Sequence, residues 1–121
     1  FFFKQKTAYE IRLSLVGSED VYKRQIYAME QMVYHCAELV DAGKPATLES
    51  AMVKLFCTEA ASFVIDEAIQ IHGGMGFSRE LPLERMYRDA RVTRIFEGTN
   101  EIQKYIIAGE ELKKHGHKIK L

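Results

Sequence analysis

The chain has 121 residues, 47% hydrophobic and 28% charged, with 17 Lys and Arg against 17 Asp and Glu. That composition excludes a disordered chain, and zero net charge removes the usual electrostatic basis for binding nucleic acid or an anionic membrane surface. No run reaches the ~20 apolar residues of a membrane span, and Cys36 and Cys57 form neither a disulfide framework nor a C-x-x-C pair, so they read as small core residues in a reducing compartment.

The zero balance averages two unlike pieces. Residues 1–25 carry five basic and three acidic groups, and the remaining 96 residues carry twelve and fourteen. In the first piece Tyr9, Ile11, Leu13 and Leu15 alternate with Glu10, Arg12 and Ser14, and Gly17-Ser18 follows, which predicts a half-buried strand and a turn. No later segment offers that strand a partner, and an isolated strand is unstable. The run FFFKQKTAYEIRLSLVGSE, with VYKRQ after it, resembles the in-frame translation of a sequencing-library adapter fused to a gene end. Residues 1–25 are therefore expected to be an adapter-derived, poorly ordered segment. The alternative is a genuine N-terminal strand of a larger protein.

From Ile26 the period changes to about 3.6. Ile26, Met29, Val33, Ala37 and Val40 form one stripe of a helix over about 26–42, ended by Gly43 and Pro45. Thr47 is the expected N-cap of a second helix over about 48–72, with Glu49 in its first turn. Met52, Leu55, Phe56, Phe63, Val64, Ile69 and Ile71 make its surface apolar nearly all round, and Gly73-Gly74-Met75-Gly76 stops it. Pro82 opens a short third helix over about 82–90, and the conformation of 91–96 is left open. Thr99 caps a fourth over about 100–114, closed by Lys113, Lys114, His115 and Gly116, with a frayed basic tail beyond. The fold class is all-α: a partial bundle of four helices. The second helix is too apolar for so small an assembly, which points to a missing partner.

Chemistry-bearing residues are few. His35 and Cys36 are adjacent on a helix and point about 100° apart, so they share no ligand. His115-x-His117 reads as a solvated tail, and no metal site is expected. Gly73-Gly74-x-Gly76 follows a helix rather than a strand, so it is no dinucleotide fingerprint. Its third glycine still exceeds what a helix stop requires. Five arginines and no lysine between Arg79 and Arg94 suggest fixed pairing, with Glu84–Arg88 and Arg85–Asp89 at i,i+4.

Glu97 stands out, following Ile95-Phe96 and preceding Gly98-Thr99 at a helix entrance. A carboxylate beside apolar bulk gains proton affinity, which suits a general base near neutrality. A plain loop glutamate near a helix start is the competing reading.

Residues 70–103, QIHGGMGFSRELPLERMYRDARVTRIFEGTNEIQ, resemble the C-terminal signature of acyl-CoA dehydrogenases, with QIHGGMGF and RDARVTRIFEGTNEIQ in the family's order and spacing. The flanking helices over 26–114 resemble the same C-terminal helical domain. The resemblance implies an FAD-dependent flavoenzyme of fatty acid β-oxidation that introduces a 2,3-double bond into an acyl-CoA. On it, Glu97 is the catalytic base, its backbone N–H binds the thioester carbonyl, and Gly98 touches substrate. Thr99 and Glu101 contact the flavin cofactor. Gln70, Ile71, His72, Gly73 and Gly74 reach the FAD of a neighbouring subunit in a homo-oligomer, a dimer or tetramer. Some family branches place the base on an earlier helix and carry a small residue here; Glu97 puts this chain with the majority. The resemblance further implies an electron-transferring flavoprotein as acceptor and a cytoplasmic location in a bacterium, or the mitochondrial matrix in a eukaryote.

Residues 26–121 are thus expected to be a partial domain, inactive alone, because the family's N-terminal helical domain, β-domain and the start of this bundle have no counterpart. The residues that floor the acyl pocket, and so set chain length, belong mostly to those parts. A stand-alone helical interaction module without catalysis is the alternative.

Overall fold

The computed structural model describes residues 8–117, with side chains from Lys23 onward. These residues form α1 (Ala8–Asp41), α2 (Thr47–His72), α3 (Gly74–Phe77), α4 (Leu83–Thr93) and α5 (Asn100–Lys114), and the described residues contain no strand.

The N-terminal alternation is the main departure from the sequence reading. The run from Tyr9 to Leu15 is helical and continues without a turn through Gly17-Ser18 into α1. A strand needs a neighbour to pair its backbone groups, whereas a helix pairs them internally. Ile11 and Leu15, four residues apart, share a face in a helix as well as in a strand. Of the segment expected to be poorly ordered, residues 8–25 are helical, whereas 1–7, like the tail 118–121, lie outside the described residues.

α2 organises the molecule. It packs against α1, α3, α4 and α5, while among the described residues α1 and α5 touch no other helix. Leu48, Ala51 and Ala60 are its buried positions, and the two alanines let neighbouring backbones close in. Cys36 Sγ lies 3.3 Å from Ser50 Oγ, linking α1 to α2. Cys57 is free and partly buried, and that burial pushes its thiol pKa up.

The helix ends follow the sequence with small shifts. Gly43 takes φ 67° while the Lys44 N–H donates to Leu39 O at 2.9 Å; Gly116 takes φ 80° while the His117 N–H donates to Leu112 O at 3.0 Å. Both are Schellman-type closures that only glycine adopts without strain. Thr47 is the first helical residue rather than the cap. The N-cap is the buried Ala46, which makes no side-chain hydrogen bond. Pro82 likewise precedes α4 by one residue, and α4 extends to Thr93, taking in half of the segment left open above.

The glycine cluster is more than a stop, since 74–77 form the short α3. A Cβ at Gly76 would lie 2.7 Å from Ile69 O, so the third glycine lets α3 rest on the backbone of α2. The described residues therefore form five helices where four were expected.

The core is small. Among the described residues Ala46, Leu48, Ala51 and Ala60 are the buried hydrophobic ones, whereas Phe56, Phe63, Ile71, Phe77, Ile95 and Phe96 are exposed together with a dozen other large apolar side chains. The accessible surface is 9672 Å², against about 6,700 Å² for a compact monomer of this mass. α2 touches every other helix and still presents Phe56 and Phe63 to solvent, as expected for a bundle that lacks a partner.

Candidate active site

The segment from Arg94 to Thr99 joins α4 to α5. Val92 O accepts from the N–H groups of Ile95 and Phe96 at 2.9 and 3.1 Å, and the Asn100 N–H closes the loop onto Arg94 O at 3.1 Å. At its apex Glu97 has φ 52°, the one non-glycine residue with positive φ among the described residues, and Gly98 follows at φ 85°. A left-handed glutamate costs about 1–2 kcal/mol, so its surroundings must hold it there.

They do so with polar side chains, of which Asn100 and Gln103 are buried and Lys54 and Thr58 half-buried. Gln103, 8% exposed, donates from Nε2 to Glu97 O at 3.2 Å and to Gly98 O at 3.3 Å. A Cβ on Gly98 would stand 2.8 Å from that nitrogen and displace the Gln103 side chain, while the φ of 85° itself calls for glycine. Lys54, from α2, donates to Gly98 O and to Asn100 Oδ1, each at 2.8 Å. Asn100 is 2% exposed and donates from Nδ2 to Thr58 Oγ1 at 3.1 Å, and that hydroxyl donates to Leu55 O at 3.3 Å. A hydrogen bond to a charged group contributes about 1.5–3 kcal/mol, enough to offset the backbone cost at Glu97.

The groups left over are informative. Among the described residues, nothing accepts from the N–H groups of Glu97, Gly98 and Thr99, and nothing pairs with the Glu97 carboxylate, which is exposed. Ile95 and Phe96 are about half exposed (52% and 49%), so the apolar surround expected for Glu97 is not completed within this chain.

Thr99 caps α5 as the sequence indicates, its Oγ1 accepting from the Ile102 N–H at 3.4 Å. The Glu101 carboxyl is held below its ordinary pKa by its own backbone N–H and the Thr99 hydroxyl, with smaller help from Lys104 and Arg94 against some desolvation.

The remaining expected site residues lie elsewhere. Gln70, Ile71, His72, Gly73 and Gly74 are all exposed at the C-terminal end of α2, where His72 Nδ1 lies 2.8 Å from Ala68 O. Gly73 has φ 56°, and a Cβ on Gly73 or Gly74 would meet nothing within 4 Å. Sixteen residues of α2 separate Gln70 from the Lys54 that holds the Glu97 loop, roughly 24 Å of helix. One chain therefore does not bring the two groups together.

A groove of about 540 Å³ lies elsewhere again, between α2, α3 and α4, lined in part by Ile69, Phe77, Tyr87 and Arg88. Of the expected arginine pairs, Arg88 grips Glu84 through Nε and a terminal nitrogen at 3.0 and 3.3 Å; no Arg85–Asp89 pair forms among the described residues. Nor do three His, Cys, Asp or Glu side chains converge there in a way that could hold a metal ion.

Lys54, Thr58, Asn100 and Gln103 were not singled out in the sequence. The available signal was Lys54, the one basic residue between Thr47 and Ile71 in the most apolar helix.

Among the described residues the bundle thus presents an unpaired carboxylate on a strained loop beside a capped helix. Comparison with known proteins gives the family: acyl-CoA dehydrogenase, C-terminal domain, matches residues 21–112, and the chain belongs to it. Over 87 residues it is 55% identical to acryloyl-CoA reductase (NADH) of Anaerotignum propionicum, covering 72% of this chain and 22% of that protein. It is 52% identical over 84 residues to the mitochondrial short-chain specific acyl-CoA dehydrogenase of Rattus norvegicus, covering 69% of this chain and 20% of the relative. Butyryl-CoA dehydrogenase of Megasphaera elsdenii superposes with a TM-score of 0.76 at 37% identity, covering 93% of this chain and 29% of that one. The chain thus spans about a fifth of the length of these two curated relatives.

Proposed function

We propose that the complete protein carrying this chain is an FAD-dependent acyl-CoA dehydrogenase in which Glu97 is the base. The observation that carries this reading is the loop itself: a left-handed Glu97 with an unpaired carboxylate and an unused backbone N–H, held by the buried Gln103 and the half-buried Lys54. Glu97 takes the α-proton of the acyl thioester, the C–H electron pair moves onto the carbonyl oxygen, and the Glu97 N–H donates to that oxygen as charge develops. Gly98, with no side chain, lets the acyl chain approach. Ile95 and Phe96 help exclude water once the rest of the protein covers them.

FAD, when bound, supplies the acceptor for the β-hydride. The residues fit such a group as part of a cradle: Gly73 and Gly74 leave bare backbone with open space around it, at the far end of α2 from Glu97. That separation supports Gln70, Ile71, His72, Gly73 and Gly74 serving the flavin of a neighbouring subunit, with Thr99 and Glu101 serving the chain's own. The functional unit is then a homo-oligomer, and electrons leave to an electron-transferring flavoprotein. This chain alone is inactive, and residues 1–25 make no part of the site.

Because several relatives are named as reductases, the direction of the reaction is part of the test. In the reverse direction the same Glu97 delivers a proton to the α-carbon. Incubating the complete protein with butyryl-CoA and an artificial electron acceptor should yield the 2-enoyl-CoA, detected by mass spectrometry as a loss of two hydrogens. Absence of that product, with no reduction of crotonyl-CoA by reduced protein either, contradicts the reading.

A further inference from the structure

We propose that Lys54 is a positioning residue for proton abstraction: by binding Gly98 O and Asn100 Oδ1 it fixes the left-handed turn that aims Glu97. The inference rests on Glu97 being the base. Among the described residues, Lys54 makes the only side-chain hydrogen bond from another helix to a backbone group of the 94–99 loop. Gln103 also holds the loop, from within α5, five and six residues away, so its bonds move with the helix it belongs to. Lys54 is 44 residues from Gly98 in sequence and sits on α2, the helix against which all the others pack. Its ammonium therefore refers the loop to the body of the bundle.

The geometry gives this bond leverage. Glu97 and Gly98 are successive residues at φ 52° and 85°, and relaxing either one to negative φ redirects the Glu97 side chain and its N–H. The Gly98 carbonyl is the one point where both holders meet, at 2.8 Å from Lys54 Nζ and 3.3 Å from Gln103 Nε2. Asn100, the most buried polar residue among those described, receives the other Lys54 bond and itself donates to Thr58, so the lysine is oriented by a satisfied network. Lys54 reaches no group of the reacting thioester on this account. Its effect is on where Glu97 stands.

The test uses the complete, flavin-loaded protein and 3,3-dimethylbutanoyl-CoA, which has α-hydrogens and no β-hydrogen. Deuterium wash-in at its α-carbon then reports proton abstraction without hydride transfer. Lys54→Met should slow wash-in about 10- to 100-fold, the scale of a displacement near 1 Å. Flavin content and affinity for the analogue should stay near wild type, and Lys54→Arg should recover part of the rate. Lys54→Gln, which keeps a shorter donor and should be slowed likewise, carries the same test if the Met variant does not fold.

Wash-in at the wild-type rate in these variants overturns the proposal. So does a slowing matched by lost analogue binding or lost flavin, or failure of both variants to fold, since Lys54 is then only structural. Glu97→Gln in the same assay separates the two claims. Exchange undiminished there removes the base assignment and this proposal with it; exchange abolished there but undiminished in the Lys54 variants removes this proposal alone.

Discussion

Glu97 and Gly98 show how a single turn can be specified by residues that are not neighbours in sequence. The motif IFEGTN places a carboxylate before a glycine at a helix start, and that much is legible from the letters. The left-handed φ of Glu97 is not, because a glutamate has no intrinsic preference for it. It follows from Gln103 and Lys54, which capture the two carbonyls of the turn. Glu101 illustrates the electrostatics at the same scale. Its own N–H and the Thr99 hydroxyl favour the ionised form, so its folded-state pKa lies below the unfolded one. Stability from this source is present above the ordinary carboxylate range and fades as pH falls through the depressed value. Urea titrations of the wild type and Glu101→Gln should therefore differ near neutrality and converge in acid; a difference that widens in acid would contradict this assignment.

Among the elements, α2 does most of the work, and the glycines after it divide into two kinds. Gly76 is fixed by packing, because a Cβ there would lie 2.7 Å from Ile69 O. Gly74 faces open space within the chain and has no structural need to be glycine. Gly76→Ala should destabilise the protein by about 1–3 kcal/mol through overpacking, read as a lower urea midpoint. Gly74→Val should leave that midpoint nearly unchanged and lower the FAD retained on gel filtration. Equal effects of the two substitutions on stability would show that the division is wrong. The sequence signalled α2 and α5 well, because their apolar residues recur at helical spacing and their ends carry glycine. It misled at the N-terminus, where Tyr9 to Leu15 alternates like a strand but has no partner strand and is helical. It was silent on α3, whose single turn depends on contact with α2 rather than on local propensity.

For the whole molecule, the decisive property is what the chain leaves uncovered. α2 is in contact with all four other helices, yet Phe56 and Phe63 remain exposed, and so do Ile95 and Phe96 beside Glu97. No helix among the described residues is long and apolar enough to cross a membrane. The family assignment accounts for the uncovered surface, since the relatives are four to five times longer than the matched region. Glu97, the proposed base, stands out in the sequence because it sits in a contiguous motif. Its supporting cluster does not, because Lys54 and Thr58 join Asn100 and Gln103 only through the fold.

The central claim is that this chain supplies the base of an acyl-CoA dehydrogenase site. Replacing Glu97 by Gln in the complete protein, mixing it anaerobically with butyryl-CoA and following the loss of flavin absorbance tests it most directly. The account predicts a folded, yellow protein whose flavin is reduced about 10²- to 10⁴-fold more slowly than in the wild type. Reduction at a near-normal rate would contradict it.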